Sequence, residues 1–232
     1  MEHPVTWTGL LGIPFAWHSV ATGVFVMLVL LVLAARARSA LQADSAIIPD
    51  ASLSPRNIYE LLVESITGMA ESVIGPGSGV YVPLLATFFV FILVSNLLGL
   101  VPGFSPPTSD FDITFALGIV SFLFFNYYGL KTQGMNYLKH FAGPVLWLAP
   151  LIFTLEIIGV FVRPFSLGLR LFGNMFGDHL VLEIFTGLTK VGIPVVFYFL
   201  GTLVSIIQAF VFMLLSTIYI ALSVPHGDGH HH

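Results

Sequence analysis

There is no cysteine in the 232 residues, which excludes disulfides, cysteine metal sites and thiol nucleophiles and leaves the redox compartment unreadable. Charge is scarce as well. Asp, Glu, Lys and Arg make up 9% of the chain, against about 25% in a soluble domain. With 56% hydrophobic residues and a mean hydropathy of +0.96, an ordinary soluble fold is excluded and an integral membrane protein remains. No basic surplus exists: a net charge of -4 argues against nucleic acid as partner. A glycine-rich phosphate loop is missing, so no nucleotide is expected to bind directly. The spans hold no His-Glu-x-x-His and no Ser/His pairing, the residues an intramembrane hydrolase would use. Neither a metal nor a cofactor is expected. Met1-Glu2-His3 lacks a basic n-region, so no secretory signal is read.

What is present is a series of long apolar runs, and the expected fold class is all-α. It is a single polytopic membrane domain over 1–232, with about five membrane-embedded helices and one amphipathic surface helix. Residues 1–17 carry Pro4, Trp7, Pro14 and Trp17 and read as an interfacial lead-in. Span one, 18–38, is free of charge from His18 to Ala35 and ends at Arg36 and Arg38. By the positive-inside rule that end is cytoplasmic and the N-terminus lies outside. Residues 39–54 read as a loop. Ser54 before Pro55 is a suitable N-cap for the surface helix 55–75, where Leu61, Leu62, Ile66, Met69 and Ile74 recur among Glu60, Glu64 and Glu71. Its acidity favours contact with another subunit over anionic lipid. Span two covers 80–102 and span three 112–131, with Asp110 and Asp112 at the mouth of the latter and Lys131 and Lys139 at its cytoplasmic end.

From Gly143 to Val224 only six formal charges occur. On one helix, with 100° between residues, Glu156, Gly159, Arg163, Ser166, Arg170, Gly173 and Gly177 fall on one stripe with Asn174 beside it. This stripe is small and polar, a surface that lets a neighbouring helix come close in lipid. Phe161, Phe165, Phe172, His179 and Glu183 fall on roughly the opposite side. Arg170 stands out, because a charge at mid-bilayer costs roughly 2.5–3.5 kcal/mol and persists only where it faces protein or water.

Ser-Leu-Gly-Leu-Arg-Leu-Phe-Gly-Asn-Met at 166–175 resembles the signature of subunit a of F-type ATP synthases. Gln208-Ala209-Phe210-Val211-Phe212-Met213 resembles that family's second motif, and shorter matches lie at Asn96-Leu97, at Asp110 to Thr114 and at Glu156. The close match covers about 151–220. Hydropathy alone divides 143–224 into three spans of roughly 20 residues. The resemblance implies two long tilted helices, 144–189 and 192–223, in a hairpin that turns at Lys190 to Pro194.

The resemblance also implies a role. The family member is the ion-translocating stator of a rotary motor, most often for protons, with two half-channels against a ring of c subunits and a b-subunit peripheral stalk. Arg170 would be the fixed charge that makes the rotor carboxylate release its proton, and the small stripe of Gly159, Ser166, Gly173 and Gly177 would face the rotor. A guanidinium does not itself deprotonate, but it favours the ionised form of a carboxylate alongside. Asn174 either orients Arg170 or makes a helix–helix hydrogen bond. Gln208 would neighbour Arg170 in the ion path. His179 and Glu183, with Asp178, are expected to line the outer half-channel, about 14 to 20 Å beyond Arg170. Asp110 and Asp112 would sit at its mouth or be merely solvated. Glu156 would line the inner half-channel. Arg163 either pairs with Glu156 or snorkels to the interface. The family often places a titratable residue on the last helix where this chain has Gly201. The C-terminal histidines read as a flexible tail, and a bacterial inner membrane as the location. The competing reading is a stand-alone transporter that binds an anion at Arg170. It expects an internal repeat, and none is seen.

Overall fold

The computed structural model describes residues 7, 12, 14, 17–41, 55–101, 103–134, 149–188 and 192–224. Over these residues it is all-helical, with no strand. Six α-helices follow one another: α1 His18–Leu41, α2 Pro55–Ile74, α3 Val82–Leu98, α4 Phe111–Gln133, α5 Ala149–Leu188 and α6 Ile193–Ser223. Single 3-10 turns at Ser78–Val80 and Pro107–Ser109 precede α3 and α4. Several expected features lie outside the described residues. They are residues 1–6, the 42–54 loop with Ser54, Lys139, the start of the long helix at 144–148, Lys190 at the hairpin turn, and the tail 225–232.

Among the described residues four helices are long and apolar enough to cross a membrane, and the shorter apolar α3 joins them. The segment after 148 forms two helices rather than three. α5 has 40 residues and runs through Pro164. At 1.5 Å per residue it is about 60 Å long, roughly twice the hydrocarbon thickness, so it cannot lie along the bilayer normal and stay inside.

α6 is the hub. Its mean composition is the least polar of the long helices, yet Ser205, Gln208, Ser216 and Thr217 are buried along it. One apolar core joins Ile66 and Ala70 of α2, Val82 and Leu85 of α3, Phe125 of α4 and Met213 and Ile220 of α6. A second joins Phe88 and Ile92 of α3, Leu167, Leu171 and Met175 of α5 and Ala209 and Phe212 of α6. Lipid is as apolar as these side chains, so close packing and hydrogen bonds must supply the cohesion. They are present: Ser121 and Ser216 hydroxyls meet at 3.0 Å, Thr108 donates to Asn96 Oδ1 at 2.6 Å, and Gln133 donates to the Ser223 carbonyl at 3.0 Å. The last of these puts the C-terminal ends of α4 and α6 on the same side.

The α4–α5 crossing depends on two glycines. A Cβ at Gly118 would fall 2.5 Å from the Pro164 carbonyl oxygen, and one at Gly168 would fall 3.1 Å from both the Thr114 oxygen and the Phe115 Cα. Backbone therefore lies against backbone, and rings close around the gap: Phe115 on Phe165, Phe111 on Phe172 and Phe122 on Phe161, with centroids 5.8, 5.8 and 5.9 Å apart. The aromatic side of α5 thus meets α4.

Candidate functional site

α5 presents three surfaces. Val160, Pro164, Leu167, Gly168, Leu171 and Met175 are buried within the bundle. The small stripe expected to face the rotor is left uncovered by the described residues. A Cβ at Gly159, Gly173 or Gly177 would meet nothing within 4 Å, and Arg170 and Gly173 are exposed, with Glu156, Arg163 and Ser166 half-buried. The glycines that let helices approach inside this chain are Gly118 and Gly168, which the stripe did not include. The stripe itself forms an open face. Among the described residues Arg170 has no hydrogen-bond or ion-pair partner.

The third surface faces α6. Asn174 donates from Nδ2 to Gln208 Oε1 at 2.7 Å, and Gln208 is only 4% exposed. One turn further, Asp178 reaches over the backbone of α6: a Cβ at Gly201 would lie 2.7 Å from Asp178 Oδ2. The bare position on the last helix is filled by a carboxylate from α5. Arg170, Asn174 and Asp178 are spaced four apart, so they climb one edge of the α5–α6 seam at about 6 Å per step.

His179 and Glu183 point elsewhere. They line a cleft of about 420 Å³ with His18 and Ser19 of α1, Ser105, Ser109, Asp110 and Phe111 before and at the start of α4, and Phe172, Phe176 and Leu180 of α5. Asp178 does not line it, so the expected trio is divided between two faces of one helix. Asp110 also caps α4, its Oδ1 accepting from the Asp112 N–H at 3.1 Å. Asp112 is exposed and lies outside the cleft walls. Two turns before Arg170 on α5, the Arg163 guanidinium sits 5.6 Å from the Tyr219 ring centroid on α6. Among the described residues it stacks on that ring and forms no pair with Glu156.

His18 is the functional candidate that reading the sequence passed over. It counted only as the first residue of a charge-free span, although a titratable side chain opening such a span was itself a signal.

Together the packing and the site define a polytopic helical membrane protein with a titratable cleft at one end and, on an open helix face, an arginine unpaired among the described residues. The family model for the ATP synthase A chain matches residues 17–221, and the chain belongs to this family. It is 45% identical over 223 residues to the ATP synthase subunit a of Bdellovibrio bacteriovorus, which covers 95% of this chain and 97% of that protein. Similarity extends to ATP synthase subunit a 2 of Syntrophotalea carbinolica, 50% identical over 72% of this chain and 71% of that one. ATP synthase subunit a of Geobacter sulfurreducens is 49% identical over 74% and 75% respectively.

Proposed function

We propose that this chain is the proton-translocating stator subunit of an F-type ATP synthase, set against a ring of c subunits and held by a b-subunit stalk. One observation carries the reading: Arg170 stands in the middle of a 40-residue apolar helix, exposed and, among the described residues, unpaired, with Gly173 and Gly177 open beside it. A face with a permanent charge and no side-chain bulk fits a neighbouring helix that brings an acid past it. The reading puts the subunit in a bacterial plasma membrane, with the Arg36 end of α1 and the C-terminus on the cytoplasmic side.

The mechanism follows from fixed charge. A protonated rotor carboxyl that comes abreast of Arg170 gives its proton to water in a half-channel. The guanidinium keeps its own proton and stabilises the carboxylate left behind. A neutral acid gains nothing from that charge, so the ring cannot turn past Arg170 without exchanging its proton. On the outer side, the cleft with His179, Glu183 and Asp110 collects protons. Asp178, the neighbour of His179 on the other face of α5, hands them into the α5–α6 seam toward Asn174 and Gln208. Asp112 contributes field at the mouth. On the inner side, Glu156 and Ser166 lie along the open stripe below Arg170, and Gly159 leaves room for water and the rotor.

Membrane vesicles holding the Arg170→Ala complex, with assembly verified by immunoblot, test this. ATP-driven proton pumping is expected to vanish while the complex stays intact. Pumping at the wild-type rate would mean that Arg170 is structural and the reading wrong.

A further inference from the structure

We propose that His18, at the head of α1, is a proton-collecting residue of the outer half-channel. The inference rests on the stator reading and deepens it.

His18, Thr22 and Val26 are spaced four apart and are buried, so they form the inward stripe of a helix whose other faces are largely exposed. Of these, only His18 carries an ionisable side chain, and it is the first such residue of α1 before Arg36. It lines the cleft while only 8% exposed. An imidazole there is costly to bury unless polar groups or water meet it, and this cleft offers both carboxylates and hydroxyls. Among the described residues, the ionisable groups facing it are Asp110 at the cap of α4 and His179 and Glu183 on α5. α3 brings none, since Val82–Leu98 contains no ionisable residue. The charged residues of α2 do not line the cleft.

An imidazole has two nitrogens, so it can take a proton on one and release another from the other. His18 accepts a proton from outside water and passes it, directly or through cleft water, to Glu183 or His179. It then returns to its neutral form. No electrons move, and the proton count balances at every turnover. A collector of this kind matters most when hydronium is scarce. At low pH, water in the cleft supplies His179 without help.

The test uses the whole complex reconstituted in liposomes with its nucleotide-handling end outward. ATP synthesis is driven by a fixed potassium diffusion potential and a fixed pH difference while the lumenal pH is varied. His18→Gln should lose on the order of threefold or more near pH 8 and approach the wild-type rate near about pH 5. His18→Gly should regain rate when imidazole is supplied in the lumen. The same fractional loss at every pH, without imidazole rescue, would make His18 a packing residue and overturn the proposal. So would no loss at all. Arg170→Ala runs alongside: if it synthesises ATP, the stator reading itself falls. If it is silent while His18→Gln matches wild type in rate and profile, only the assignment of His18 falls.

Discussion

A glycine and an aspartate occupy one space in this chain. Asp178 Oδ2 stands where a side chain at Gly201 would begin. Because that oxygen and the Leu100 Cδ2 at 3.0 Å are the far ends of flexible side chains, Gly201→Ala should leave the fold intact and evict the carboxylate from the seam. Coupled pumping should drop several-fold with undiminished complex in the membrane. Gly187→Ala, where the added methyl meets nothing within 4 Å, should pump normally. Unequal protein levels would point to a folding effect and refute the eviction. Arg170 was legible in the sequence because a permanent charge inside an apolar run is too costly to be accidental. The direction of Asp178 was not. Residues 178 and 179 are 100° apart on the helix, and hydropathy does not tell which neighbour stands at which angle. That needs the position of α6, which only long-range packing provides.

At the scale of elements, the α4–α5 crossing is set by backbone contact at Gly118 and Gly168. Leucine at Gly118 would collide with the Pro164 carbonyl, and backbone cannot swing aside as a side chain can. Overpacking of this kind costs about 1–3 kcal/mol or more. Gly118→Leu should therefore lower the melting temperature of the detergent-purified complex and the amount of subunit in the membrane. An unchanged melting curve would mean that the crossing is slack. The helices themselves were largely readable, since charge-free runs of sufficient length have few alternatives in a bilayer. Two points needed more than hydropathy. The run after 148 has the composition of three spans yet folds as two: α5 continues from Ala149 to Leu188 straight through Arg163 and Pro164, the place where hydropathy would have cut it. The stripe of small residues was also visible, but spacing alone cannot tell a face that packs within the chain from one left open.

For the molecule as a whole, that open face is the main asymmetry: α4 and α6 flank α5, and the Arg170 side is uncovered. Because the chain has no cysteine of its own, single cysteines can be placed without a background. Gly173→Cys should form an oxidative cross-link with a cysteine on the outer rotor helix, whereas Leu171→Cys, buried in the apolar core, should not. Cross-linking at both positions or at neither would contradict a rotor docked on this face. The exposed arginine has a consequence for the life history of the protein. A subunit inserted before its partners arrives has an unanswered cation facing lipid, at roughly 2.5–3.5 kcal/mol on insertion scales. It is least at ease in the membrane when alone, so on the proposed stator reading the residue that would drive the motor also marks an orphan. On that reading, a copy without its ring is the natural target for removal.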